Sequence, residues 1–187
     1  VINMLKARAK NADPMDVLQS AVAALSDSDP DLQSQERENR VKSALRLISR
    51  TASVIAAWYH IKDGNEPDAA DTTLSHAGAF LKGLWKKDPS AQETKLMDVL
   101  LVLHAEHTFN ASTFAVREVA STRAHIYASV AAGVGALSGP LHGGANRKVM
   151  NMLKEIGDES KVEEWVRNRV ETNQRVMGLG HAVYKTE

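Results

Sequence analysis

Apolar positions recur at steps of three and four along most of the chain, the spacing of amphipathic helices. Asp13-Pro14 places a capping carboxylate before a proline and predicts a helix running through Leu25. Residues 26–31, with Pro30, read as a polar turn. A long helix is predicted over about 36–62, where Val41, Leu45, Ile48, Ala52 and Ile55 form one stripe expected to be buried. Asp63-Gly64-Asn65 ends it, and a shorter amphipathic helix is expected over 72–85, closed by the loop around Asp88-Pro89. The next helix, 90–104, is apolar without a break from Val99 to Leu103, which predicts a place in the interior. Residues 111–136 carry ten alanines and glycines and no proline, the pattern of one central helix that others approach closely. Helices over about 144–156 and 161–175 follow, and no segment alternates with a period of two. The expected class is all-α.

Composition narrows the functional choices. At 187 residues and 43% hydrophobic content the chain can bury one full core, or one domain and part of another. Lysine plus arginine equals aspartate plus glutamate at 23 each, so neither a net basic excess nor a basic stripe supports a nucleic-acid partner. Charge clusters such as Glu36-Arg37-Glu38 and Glu163-Glu164 fit solvated helix faces. The absence of cysteine excludes disulfides, thiolate metal sites and cysteine nucleophiles, and is compatible with a reducing cytoplasm. No apolar run approaches the roughly 20 residues that span a bilayer. The basic first ten residues lead into no apolar signal core. A soluble, cytoplasmic protein without membrane partners is expected. The first residue is Val1, which fits a trimmed or partial chain.

Three places break the helical pattern in ways packing does not require. In 103–113, His104 and His107 end an apolar helix, and Asn110, Ser112 and Thr113 open the next. The two histidines could share a face but have no clear third partner for a metal, and the polar groups could equally cap two helix ends. In 138–146, glycines and a proline surround His142 just ahead of a predicted helix. Free backbone N–H groups and the positive dipole end there disfavour imidazolium, and a neutral ring can donate to a carbonyl that is becoming an enol. The neutral histidine of triosephosphate isomerase is a known instance of that device. In 177–185, Gly178 and Gly180 expose main chain beside His181, with Leu179 between them and Tyr184 and Lys185 beyond. A Gly-x-Gly by itself does not define a phosphate loop, and no strand precedes it.

Taken in order, these segments resemble the citrate synthase family. The family's histidine-x-x-Asn-Ala-Ser-Thr, Gly-Pro-Leu-His-Gly-Gly-Ala-Asn and Gly-x-Gly-His-x-Val-Tyr-Lys stand here at 107–113, 139–146 and 178–185. Asp13-Pro14-Met15-Asp16-Val17-Leu18 also looks like the family's first helix. The resemblance implies a largely helical homodimer, with a large domain over 1–143 and the start of a smaller helical domain over 144–187. It implies an acyltransferase of the tricarboxylic acid cycle that condenses acetyl-CoA with oxaloacetate and water, giving citrate and CoA. By position, His107 and Asn110 bind oxaloacetate and His142 stabilises the enol of the acyl-CoA, with Ser112 orienting the His142 ring. His181 polarises the oxaloacetate carbonyl, and the backbone of Gly178, Leu179 and Gly180 holds coenzyme A. No metal and no prosthetic group is implied. A 2-methylcitrate synthase using propionyl-CoA shares these motifs, as does a citryl-CoA lyase. A non-catalytic helical relative is the reading from another class.

The departures from the family pattern are specific. Arg147 stands where glutamate is common, His107-Thr108 replaces a histidine-glutamate pair, and His125 precedes Tyr127 where an acidic residue is frequent. The family's base is an aspartate beyond the third histidine, and further arginines hold the oxaloacetate carboxylates. Neither lies within these 187 residues, so the chain by itself is expected to be inactive and to belong to a longer protein.

Overall fold

A computed structural model describes residues 1–106 and 108–179. The helices are α1 (Ile2–Lys6), α2 (Pro14–Ala24), α3 (Arg37–Ile61), α4 (His76–Trp85), α5 (Ala91–Leu103), α6 (Ala111–Ser121), α7 (Ile126–Ser138), α8 (Gly144–Ile156) and α9 (Val162–Glu171). Short 3-10 turns follow α2 and precede α9, and no strand occurs among the described residues, so the class is all-α. The chain forms two compact units that divide between Ala136 and Leu137. The domain division expected from the resemblance falls at 143/144, seven residues further on.

Helix starts in the first unit follow local chemistry. Asp13 accepts a hydrogen bond from the Met15 N–H at 2.8 Å, with Pro14 in the first turn of α2. Ser75 caps α4 through the Gly78 N–H. Ser90 and Glu93 form a reciprocal capping box at the start of α5, with bonds of 3.2 and 2.7 Å. The core gathers Leu5, Val22, Leu47, Trp58, Ile61 and Tyr127. Leu5 has no exposed surface, so α1, which the sequence marks only as a basic stretch, is anchored into this core. Full burial of one such side chain contributes about 1.5–3 kcal/mol.

Three expectations need correction. Val41, Leu45, Ile48 and Ile55 are 39–61% exposed, and the face of α3 that enters the core carries Leu47, Val54, Trp58 and Ile61 instead. Both sets recur with helical period, and period alone does not say which face is covered. The second half of α5 is likewise uncovered, with Val102 and Leu103 more than 60% exposed and no buried residue in the helix. Residues 111–136 are not one helix: α6 ends at Ser121 and α7 begins at Ile126. Neither glycine nor proline makes this break. The hydroxyls of Ser121 and Thr122 donate to the Glu118 and Val119 carbonyls at 2.7 Å, and Arg123 turns the chain with φ +66°. Beyond the break Gly133 lets α7 approach α6, since a Cβ there would meet Val116 at 2.5 Å.

A buried ionic cluster ties α7 back to the chain ahead of α3. The Tyr127 hydroxyl donates to Asp29 at 2.6 Å, and Arg46 reaches Asp29 at 2.8 Å and Asp31 at 2.6 Å. The Asp31 N–H also donates to Asp29. Burial alone would push the Asp29 carboxyl up. Hydrogen bonds, led by the one from the Tyr127 hydroxyl, and the Arg46 charge together outweigh it and hold the carboxyl down at about 2. The same burial and bond push the Tyr127 phenol up to about 12.

Candidate active site

The first motif sits where α6 begins. Asn110 adopts an extended conformation and its side-chain oxygen accepts from the Thr113 N–H at 2.9 Å. With that oxygen engaged as the cap, its amide NH2 is the group free to face a ligand's oxygens. Phe109 and Phe114 flank the cap and meet edge to face at 5.9 Å, a hydrophobic staple across the helix start, with the Arg117 guanidinium over Phe109. Ser112 lies one residue into α6 and is half-buried, as is Asn110. His104 does not face this turn as a ligand does: its Nδ1–H donates to the Leu100 carbonyl at 2.7 Å and closes the end of α5. Among the described residues no group of three or more potential ligands could hold a metal ion. His107 lies outside the described residues. Thr108 follows it with φ +54°, a left-handed conformation that a β-branched residue rarely takes.

The second motif lies in the second unit and folds into a closed turn. The His142 N–H donates to the Gly139 carbonyl at 3.0 Å, and the Gly143 N–H to the Leu137 carbonyl at 3.1 Å. A Cβ on Gly143 would stand 2.1 Å from that Leu137 oxygen, so only glycine closes the turn. Gly143 then starts α8 with no side-chain cap, and no acidic residue occupies the first turn. The half-buried His142 therefore comes two residues before a helix whose first N–H groups carry the positive dipole end. Arg147 on the exposed face of α8 opposes that dipole, and nothing in the structure explains it.

The third motif is described as far as Leu179. Gly178 has φ +90°, and a Cβ there would lie 3.9 Å from Val149 of α8. The glycine loop therefore backs onto the same helix that His142 precedes. Leu179 is 74% exposed, and Gly180 and His181 lie outside the described residues. The structure thus brings Asn110 and Ser112 together on one turn of α6, and Gly178 beside the helix that His142 leads into.

One departure from the family pattern receives a structural account. The His125 ring accepts the Ala128 N–H through Nδ1 at 3.2 Å, the same capping service an acidic residue would give at the start of α7. The sequence reading placed His125 within a helix. A histidine three residues ahead of an uncapped N–H was the signal available.

Together the fold and these loops define an all-α protein in which a glycine-rich, histidine-bearing turn leads into the N-terminus of α8. The description "Citrate synthase, C-terminal domain" matches residues 1–187. The chain is 42% identical over 185 residues to citrate synthase of Synechocystis, covering 99% of this chain and 47% of that protein. It is 37% identical over 185 residues to 2-methylcitrate synthase of Mycobacterium tuberculosis, again covering 99% and 47%. The structure matches citrate synthase from Thermoplasma acidophilum, solved as a ternary complex with carboxymethyl coenzyme A and oxaloacetate. The TM-score is 0.84 at 28% identity, over 99% of this chain and 49% of that one. The chain belongs to the citrate synthase family. It spans about half the length of the curated relatives it matches.

Proposed function

We propose that the protein condenses acetyl-CoA with oxaloacetate and hydrolyses the resulting thioester to citrate and CoA. The observation that carries this reading is the closed 139–143 turn, in which a glycine that admits no side chain sets His142 ahead of α8. Enol formation gives a reason for a histidine there. The methyl group of a thioester is a poor acid, and its proton leaves only if a base acts while the carbonyl oxygen is stabilised. His142 donates to that oxygen. Preorganised donation of this kind is worth most where water is excluded. The enol carbon then attacks the oxaloacetate carbonyl, to which His181 supplies a proton. His107 and the Asn110 amide hold the oxaloacetate oxygens, and the main chain of Gly178, Leu179 and Gly180 holds coenzyme A. The roles follow the matched motif positions, and no prosthetic group or metal enters them.

The working unit in this reading is a homodimer in the cytoplasm, with a large domain over 1–143 and a smaller one from 144. The exposed apolar stripe of α3 supports a partner copy. The lack of cysteine, and of any described helix long and apolar enough to cross a membrane, is compatible with that location. A second reading, condensation of propionyl-CoA, is favoured by the 2-methylcitrate synthase relative. One methylene in an apolar pocket separates substrates by only about 1–3 kcal/mol, so the ratio of kcat/KM for the two acyl-CoAs decides between them. His142→Ala in the intact gene product tests the reading itself. The variant is expected to keep its helical circular dichroism and lose turnover by at least about a hundredfold, the scale of a removed oxyanion donor. Unchanged turnover would remove His142 from the chemistry.

A further inference from the structure

A second site stands apart from these motifs, where the loop ahead of α3 faces the break between α6 and α7. A cavity of about 720 Å³ opens there, within the size range of small-molecule sites. Its lining combines apolar wall, including Val116, Ala120 and Ile126, with the cations Arg40 and Arg123 and with His125. Neither arginine is paired with a carboxylate among the described residues: Arg40 donates to the Gln35 amide oxygen at 2.7 Å, and Arg123 is exposed. The lining's one carboxylate, Asp31, is taken by Arg46 at 2.6 Å. His125 accepts a backbone N–H at Nδ1, so in the neutral ring Nε2 carries the proton and is a donor. Arg123 is also held at φ +66°, a left-handed conformation that glycine adopts without strain and a side chain does not. The cavity wall thus offers two guanidinium groups and an imidazole N–H, with no unpaired acid opposing them.

We propose that this cavity binds a compact organic anion bearing two oxyanion groups, carboxylate or phosphate. Guanidinium forks match both, and the apolar wall accommodates the frame between them. The proposal is independent of the condensation chemistry, since no residue of the three motifs lines the cavity. The test is titration calorimetry of the intact gene product at low, matched ionic strength, with pyrophosphate in one arm and glutarate in the other. Saturable binding of at least one probe is expected, and the stronger arm names the oxyanion. Arg123→Gly and Arg40→Gln should each raise Kd about tenfold or more, the factor of one charge-assisted hydrogen bond. Arg123→Gly removes the cation and fits the backbone, so it should be at least as heat-stable as the wild type, which separates lost binding from lost folding. His142→Ala should leave Kd unchanged. The proposal fails if neither probe saturates, if either arginine variant binds as the wild type does, or if His142→Ala abolishes binding.

Discussion

Tyr127→Phe isolates one bond in the buried cluster that joins α7 to the segment before α3. The ring has no exposed surface and keeps its packing in the variant, so only the hydroxyl that donates to Asp29 at 2.6 Å is lost. A hydrogen bond to a charged acceptor contributes about 1.5–3 kcal/mol. The titration of Asp29 gives the sign of the pH dependence. Burial raises its pKa, and hydrogen bonds led by the one from Tyr127, together with the Arg46 charge, bring it from 3.8 to about 2. That displacement corresponds to about 2 kcal/mol of stability. Because the folded carboxyl titrates below its unfolded value, the unfolded chain takes up the proton first as pH falls. The stabilisation is therefore complete well above 3.8 and is lost as pH descends toward about 2. Without the hydroxyl, the folded pKa of Asp29 rises toward its unfolded value and less stability remains to be lost in acid. Urea unfolding followed by circular dichroism should show Tyr127→Phe costing about 2 kcal/mol near neutral pH, with the difference from wild type narrowing by about pH 3. A cost under about 0.5 kcal/mol near neutrality, or one that does not change with pH, would refute the reasoning.

Gly143→Ala drives a Cβ into the Leu137 carbonyl, so the 139–143 turn must open. Displacing His142 by about 1 Å should lower kcat/KM roughly a hundredfold while leaving far-ultraviolet dichroism nearly unchanged. Leu5→Ala should cost about 2–5 kcal/mol in urea unfolding, because the side chain is wholly buried; a surface-like cost would place α1 outside the core. His125→Ala should cost about 1 kcal/mol through loss of the α7 cap, and His125→Asn should restore most of it, read out by thermal melts.

How much of this was legible in the sequence depends on whether the signal was local. Asp13-Pro14 announced a helix start that the structure keeps, and α8 runs over the predicted 144–156, with Gly157 at φ +74° just beyond its end. The break at 122–125 was invisible because no glycine or proline makes it; hydroxyl back-bonding and a left-handed arginine do. The stripe on α3 was a true period assigned to the wrong neighbour. Leu47, Val54, Trp58 and Ile61 are spaced as regularly as Val41, Leu45, Ile48 and Ile55, and what covers each face is a tertiary fact. The apolar run 99–103 misled for the same reason. The motif residues around His142 and Gly178 were legible as loops, since glycines there serve close approach and a positive φ. The capping role of His125 and the cation-lined cavity were not, because residues from 31 to 129 make it and no motif joins them.

The proposed condensation is tested most directly by thiol release from acetyl-CoA by the intact gene product, with and without oxaloacetate. The 187 residues hold no cysteine to react with the thiol reagent, so their contribution to background is nil. The proposal predicts release that requires oxaloacetate and is matched mole for mole by citrate. Absence of oxaloacetate-dependent release, with propionyl-CoA as well as acetyl-CoA, would contradict it.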